Sequence, residues 1–442
     1  MIDGFVTAHV DVKIMESLRS ILGIAVFIGV AWTFSEGRRH VSWKLISSAL
    51  GLQLVVALAV LKVPFIERGL DVISQGFVAV LSFANRGAQE VFGRLTSDAF
   101  EFSTVIGFRV VPAIIFFSSV TSVLYYYGIL QKVVYGLAWI MKRTMKLSGA
   151  ESLAAAANVF IGQTEAPVMV RPYLNSMTRS EVMSLMTGGM ATIAGTVLAA
   201  YIGFLGGDDP AQQALFGKHL ITASILSAPA ALMYSKLLVP ETQDVNAEME
   251  IADDDMGTNV FDAIARGTTQ GLTLAFNVGA MIIVFVAFVT MINYLLSDVL
   301  GQLTGLNDLV ASWSGGRYET FSMELIFGVL FAPFAWLMGI DSGSVMAAGQ
   351  LLGEKLVINE FIAYLTFGGM KESGVLVDER SIILITYALC GFANFASMGI
   401  QIGGISSIAP SKRAVLCQLA LRSVLAGNLA CFTTACVAGM FI

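Results

Sequence analysis

Long apolar runs recur along this chain with short polar stretches between them. Those at 17–35, 44–64, 103–130, 181–206, 218–239, 269–297, 381–408 and 417–441 are near or above the ~20 residues a helix needs to cross a hydrocarbon core. The pattern predicts an all-α polytopic membrane protein with about eight spans. Residues 65–100 interleave apolar positions with Glu67, Arg68, Asp71, Arg86, Glu90 and Arg94, which predicts a helix lying along the interface, and 131–146 reads the same way.

Two segments do not behave as simple spans. The first, Ser152 to Tyr173, is apolar at both ends but carries Asn158, Gly162, Gln163, Thr164, Glu165 and Pro167 at its centre. Proline removes a backbone donor, and a charged carboxylate costs roughly 2.5–3.5 kcal/mol at mid-bilayer. A re-entrant hairpin resolves the conflict, because non-helical backbone is tolerated at that depth only inside protein or along a watery cavity. The second, Phe321 to Tyr364, is apolar to Met338, turns at Gly339–Ser344, and continues into a helix with Glu354, Lys355, Asn359 and Glu360. Each is followed by a span with a weak centre, Gly188–Val197 in one case and Gly391–Gly399 in the other. With the N-terminus outside and the spans alternating, the two hairpins enter from opposite sides, so the halves form an inverted repeat. Interrupted segments at corresponding positions of two halves point to a secondary transporter whose site lies where the breaks meet.

Composition agrees. The chain is 56% apolar and 13% charged, half the charge of a soluble domain. The net charge of −6 traces to an acidic run holding Glu241, Asp244, Glu248, Glu250, Asp253, Asp254 and Asp255, expected to be a solvated loop. There is no basic patch for nucleic acid. The paired Arg38–Arg39 and Lys142–Arg143 fall on the cytoplasmic side of this topology, which places both termini outside in the cytoplasmic membrane. The acidic N-terminus lacks the basic start of a cleaved signal, so the first span is expected to stay. Four cysteines in apolar runs read as small buried hydrophobes, and the three histidines avoid every break. An intramembrane hydrolase is therefore disfavoured and no enzyme activity or cofactor is expected. Arg109, inside the third span, calls for a structural ion pair, and Asp341 for a capping role.

The motifs themselves resemble the concentrative nucleoside transporters. Gly162-Gln163-Thr164-Glu165-Ala166-Pro167 is similar to that family's first hairpin tip. Gly353-Glu354-Lys355-Leu356-Val357-Ile358-Asn359-Glu360-Phe361-Ile362-Ala363-Tyr364 is similar to its signature, with Ile362 where valine is usual. Cys390 to Ser397 resembles its seventh span, and the likeness runs in order from about Ser17 to the end of the chain.

The resemblance implies a homotrimeric elevator that carries nucleosides inward with sodium; the alternatives are coupling to protons, or an elevator carrier for another small polar solute. Scaffold helices would occupy 1–148 and 269–320, the moving domain 149–240 and 321–442, with the acidic cytoplasmic loop at 241–268. By motif, Gln163, Thr164, Glu165 and Val197 would face the nucleobase, Glu360, Asn394 and Ser397 would hold the ribose, and Phe392 would line the pocket. Sodium would sit between the Asn158 and Thr192 side chains and the carbonyls of Ile161 and Ile193. The chemistry is coherent: an amide matches the donor and acceptor edge of a base, and an ionised carboxylate accepts strongly from ribose hydroxyls. A polar site left unpaired by a sugarless base would also reject it.

Overall fold

The computed structural model describes residues 2–93, 106–246, 248–249, 258–314, 316 and 318–442, and among these it is helical with no strand. The helices are α1 (Ile2–Thr33), α2 (Trp43–Lys62), α3 (Pro64–Phe92), α4 (Ile106–Tyr126), α5 (Ile129–Met145), α6 (Gly149–Asn158), α7 (Ala166–Met169), α8 (Arg171–Leu174), α9 (Arg179–Ala191) and α10 (Gly195–Gly206). They continue with α11 (Pro210–Leu238), α12 (Val260–Asn293), α13 (Gln302–Thr304), α14 (Leu306–Trp313), α15 (Met323–Leu337), α16 (Val345–Val357), α17 (Glu360–Glu372), α18 (Glu379–Leu389), α19 (Phe395–Ile408) and α20 (Arg413–Gly439).

Six continuous helical stretches in the described residues are long and apolar enough to cross a membrane: Met15–Thr33, Trp43–Lys62, Arg179–Gly206, Pro210–Leu238, Val260–Thr304 and Pro410–Gly439. The expected third span ends at a 76° bend between α4 and α5, which separates it from the helix over 131–146. The expected seventh span is divided, because the chain unwinds at Cys390–Asn394 between α18 and α19. Its Gly391 takes a φ of +108°, where a side chain would meet the backbone of Ala191 at 2.7 Å. The fourth unwinds similarly at Thr192–Ala194, between α9 and α10.

The centre of the molecule is built from α9, α11 and α20, which pack on one another and are mostly buried. α12 is the opposite case: it packs along α4 through small residues, Gly267 and Gly271 against Ser119 and Ser118, and leaves Phe276, Ile283 and Val284 bare on its other side.

The second interrupted segment differs in detail from the expectation. α15 and α16 do turn back on each other around Gly339–Ser344, with Phe327 against Gly353 and Gly328 against Gly349. Glu360, however, lies beyond that turn, at a further break over Ile358–Asn359 between α16 and α17. The broken pair that corresponds to α6 and α7 is therefore α16 and α17. Asn359 starts the second arm by accepting from the Ile362 amide at 2.9 Å. Asp341 stabilises its own turn, accepting from the Gly343 amide at 2.8 Å, and Ser344 is the residue before α16.

The acidic run is not simply solvated. Glu241 accepts from the Thr178 hydroxyl at 2.7 Å and from Lys236 at 3.3 Å, and the Asn246 carbonyl accepts from the Gly149 amide at 3.0 Å. The start of the run thus packs on the foot of the first broken pair, while Glu250, Asp253, Asp254 and Asp255 lie outside the described residues. So does the Arg109 side chain. Cys390, Cys431 and Cys436 are buried as expected, whereas Cys417 is exposed.

Beneath this contact, Lys236 forms an ion pair with fully buried Glu151 and donates to Ser180 at 2.9 Å. Glu151 also closes a capping box at Ser148 and accepts from Ser184 at 2.9 Å. Removing one partner of a buried ion pair strands the other charge. Lys236→Met is expected to destabilise the protein by about 3–5 kcal/mol, and adding Glu151→Gln to recover part of that loss. Thermal unfolding of the purified variants measures both, and a single variant as stable as the parent would contradict the pairing.

Candidate functional site

Both broken pairs and both unwound spans converge on one cavity of about 810 Å³. Its lining includes Gln163, Thr164, Glu165, Val197, Glu360, Phe392, Asn394 and Ser397, which are all eight residues singled out from the sequence as substrate contacts.

Local structure explains why they converge. Gly162 turns the first tip with a φ of +90°, and a side chain there would meet Ala194 Cβ at 2.6 Å, so the tip lies directly on the unwound part of the fourth span. This turn presents Gln163, Thr164 and Glu165 in succession. Thr164 donates to Glu165 Oε2 at 2.8 Å, and both side chains are exposed at the cavity wall. On the other side, Glu360 is the first residue of α17 and is only 4% exposed. Its carboxylate accepts from Asn394 Nδ2 through one oxygen and from the Tyr201 hydroxyl at 3.3 Å through the other. Asn394 is fixed in turn as the cap of α19, its Oδ1 accepting from the Ser397 amide at 2.8 Å. Tyr201 is fixed by stacking on Tyr364, with ring centroids 4.3 Å apart.

The two halves are joined by Gln163. Its Nε2 donates to Ser397 Oγ at 3.3 Å and its Oε1 accepts from Gln401 Nε2 at 3.0 Å, which also donates to the Met186 carbonyl at 3.1 Å. Gly189 makes room for this, since a side chain there would approach Gln401 Nε2 to 2.6 Å.

Sequence reading missed the facing wall. Thr269, Gln270, Thr273 and Asn277 line the cavity from α12, and Ser118 from α4. A signal was present, because Gln270, Thr273 and Asn277 repeat at helical spacing along one face of an otherwise apolar span. Tyr201 and Gln401 were missed as well. Both look like ordinary span residues until the fold sets them behind Glu360 and Gln163.

The four residues expected around sodium lie at or beside the first tip and the first unwound span. Asn158 ends α6, Ile161 lies in the tip, and Thr192 and Ile193 occupy the break after α9; all four are buried. The Thr192 hydroxyl sits 2.9 Å from the Asn158 carbonyl and 2.8 Å from that of Gly188. Asn158 Nδ2 donates to the Ala154 carbonyl at 2.9 Å, but its Oδ1 is buried with no hydrogen bond. The equivalent break in the other half is closed differently. There the Lys355 ammonium, completely buried, donates to the Ala388 and Cys390 carbonyls at 3.0 and 3.4 Å, and Asn428 donates to the Ala393 carbonyl at 2.9 Å. One break thus holds a cation of the chain's own, and the other holds neutral oxygens with one acceptor free. An oxygen set of this kind fits a hard monovalent cation.

Broken apolar helices meeting at a polar cavity define an integral membrane transporter rather than an enzyme. Comparison with known proteins supplies the family. Residues 22–95 and 219–439 match the N- and C-terminal models described as "Na+ dependent nucleoside transporter", and 107–208 match one described as "Nucleoside recognition". The chain is 35% identical to the nucleoside permease NupC of Helicobacter pylori, over 97% of this chain and 99% of that one. It is 36% identical to rat solute carrier family 28 member 3 over 96% of its own length, but spans only 59% of that relative. Structures of CNTnw superpose with a TM-score of 0.85, at 37% identity over 96% of this chain and 98% of that one for the inward-facing substrate-bound state, and at 35% identity over 97% and 98% for a variant facing outward. The chain belongs to the concentrative nucleoside transporter family.

The contact at the first tip carries a direct prediction. Gly162→Ala forces a side chain onto Ala194 in a left-handed backbone, and is expected to cost about 1–3 kcal/mol. Thermal unfolding of detergent-purified protein reads this, and an unchanged midpoint would contradict the packing of tip on break.

Proposed function

We propose that this chain is a sodium-driven symporter that imports nucleosides across the cytoplasmic membrane, with the two broken pairs as re-entrant hairpins of a moving elevator domain. The observation that carries the reading is the cavity itself, where Gln163, Thr164, Glu165 and Val197 from one half face Glu360, Asn394 and Ser397 from the other. In this reading the amide of Gln163 meets the base edge, the Val197 and Phe392 side chains cover its faces, and Glu360 accepts from the ribose hydroxyls. Tyr201 and Asn394 hold the Glu360 carboxylate in place without neutralising it. Charge-assisted bonds of this kind are roughly twice as strong as neutral ones, which suits a site that must prefer nucleoside over free base.

Sodium is assigned to Asn158, Thr192 and the carbonyls of Ile161 and Ile193. The free Asn158 Oδ1 supports this, as does the contrast with Lys355 in the other half. Because the Gly162 tip rests on Ala194, an ion here ties the first tip to the unwound span and steadies Gln163 and Thr164 just beyond it. Binding of ion and of nucleoside would therefore reinforce each other. The scaffold would comprise 1–148 and 269–320 and the mobile part 149–240 and 321–442, with the polar stripe of α12 forming the fixed wall. The bare apolar face of α12, with Phe276 69% and Ile283 72% exposed, suits lipid or neighbouring protomers in a homotrimer with both termini outside.

Two measurements test this. Glu360→Gln keeps shape and removes charge, and is expected to lower uridine affinity about tenfold or more, in keeping with ~1.5–3 kcal/mol for a hydrogen bond to a charged group. Undiminished binding in a folded variant would rule out the ribose role. Asn158→Ala with Thr192→Ala is expected to abolish the rise of uridine uptake with external sodium at fixed pH. Uptake that ignores sodium in the parent protein but climbs steeply with acid would assign coupling to protons instead, with Glu165 the group to examine.

A further inference from the structure

A second, smaller cavity of about 180 Å³ lies between α12, α15 and the broken pair formed by α16 and α17. Its polar lining consists of two carboxylates, Glu324 and Glu354, and two hydroxyls, Thr290 and Thr366. Glu324, in the first turn of α15, accepts from Asn293 Nδ2 at 2.8 and 3.0 Å through its two oxygens. Glu354, one turn before the Ile358–Asn359 break, is 6% exposed. Its Oε1 accepts from Gln350 Nε2 at 2.8 Å, Oε2 is buried without a well-formed hydrogen bond, and the Thr366 hydroxyl is the further neutral donor that interacts with this carboxylate.

The charges around this cavity are one-sided. α15 contributes Glu324 and α16 contributes Glu354, whereas α12 offers Val286, Val289 and Thr290, and α17 offers Ile362 and Thr366. Lys355, adjacent to Glu354 in sequence, points away and donates to the Ala388 and Cys390 carbonyls. Glu360 lines the larger cavity instead. No lysine, arginine or histidine is among the residues lining the small one. A buried carboxylate that meets only neutral donors and a second carboxylate, with no cationic side chain beside it, is stabilised by a proton or a cation.

We propose that this cavity is a second cation site, in which Glu354, assisted by Glu324, takes a sodium ion or a proton and so joins the second broken pair to α12. The oxygen lining suits a hard cation, and the volume is several times the ~30 Å³ share of one water, so a partly hydrated ion fits. This site is separate from the Asn158–Thr192 one, which belongs to the other broken pair. Occupancy bridges the arm that leads into Glu360 to the helix that forms the facing wall. It therefore stabilises one relative position of the two and releases them when the cation leaves. That coupling role rests on the transport reading, but the binding itself does not.

The experiment is sodium binding to purified protein without nucleoside, using radioactive sodium, together with infrared difference spectra of carboxyl protonation across pH. For a sodium occupant, Glu354→Gln binds one equivalent fewer than the parent, whatever the parent's total. For a proton occupant, the parent and Glu354→Gln bind the same number of sodium equivalents, while Glu354→Gln removes a protonated-carboxyl band that the parent displays at neutral pH. Glu324→Gln is expected to weaken the same signal, and Glu354→Asp, which keeps the carboxylate, to retain it even if Glu354→Gln proves unstable. Identical sodium counts and identical carboxyl bands in the parent and Glu354→Gln overturn the site. Failure of the parent to transport uridine would instead refute the transport reading and leave these counts decisive.

Discussion

A peptide group inside an apolar protein needs a hydrogen-bonding partner, and the polar groups at the centre of this structure gather at the places where helices stop supplying one. Among the described residues, four such places border the large cavity: two tips, at Gly162 and at Ile358–Asn359, and two unwound spans, at Thr192–Ala194 and Cys390–Asn394. Their orphaned groups are satisfied by caps and side chains brought in from the other elements. Asn359 and Asn394 cap the helices that restart, and Lys355 and Asn428 cover carbonyls at the second unwound span. At the first unwound span the Gly195 amide donates to the Phe160 carbonyl, Cys431 reaches the Ala191 carbonyl, Thr192 donates to the Asn158 and Gly188 carbonyls, and an unpartnered Asn158 oxygen remains beside them. The same interruptions that are costly in a membrane helix thus provide directed polar groups around one cavity.

The polar groups are held rather than free. Glu360 is gripped by Tyr201 and Asn394, and Gln163 by Ser397 and Gln401, so neither side chain has to be ordered when a ligand arrives. In their proposed role as ligand contacts, this lowers the entropic cost of binding. Thr164 and Glu165, by contrast, are exposed at the cavity wall. One wall of the cavity is built from the broken elements and the other from α12, a continuous helix that packs along α4 through glycines and serines. In the proposed elevator, this continuous helix facing a set of broken ones would let the two slide without unmaking their internal hydrogen bonds.

Much of this was legible in the sequence because lipid penalises polarity so strongly. Glu165, Gln163 and Pro167 in the centre of an apolar run demanded a break, and Glu360 and Asn394 stood out for the same reason. The position of the second break was displaced, since the glycines and serines of Gly339–Ser344 are a stronger turn signal than Ile358–Asn359, where only a backbone rotation and a capping asparagine interrupt an apolar helix. The α12 stripe escaped notice because threonine and asparagine in a span usually serve helix packing. Tyr201 and Gln401 could not be read from their neighbours at all. Their roles arise from contacts with residues far away in sequence, Glu360 in one case and Gln163 in the other. The ordered beginning of the acidic run was likewise hidden, because pairing of Glu241 with Lys236 and Thr178 depends on where α9 begins and α11 ends.

The central claim is that the interrupted helices form a grip for a nucleoside and its driving ion. Uptake of radiolabelled uridine into proteoliposomes under an imposed inward sodium gradient tests it most directly. The account predicts accumulation above equilibrium that collapses when the gradient is dissipated, and that unlabelled nucleosides suppress while free bases do not. Uridine that merely equilibrates whatever the gradient, or uptake suppressed equally by bases and nucleosides, would contradict it.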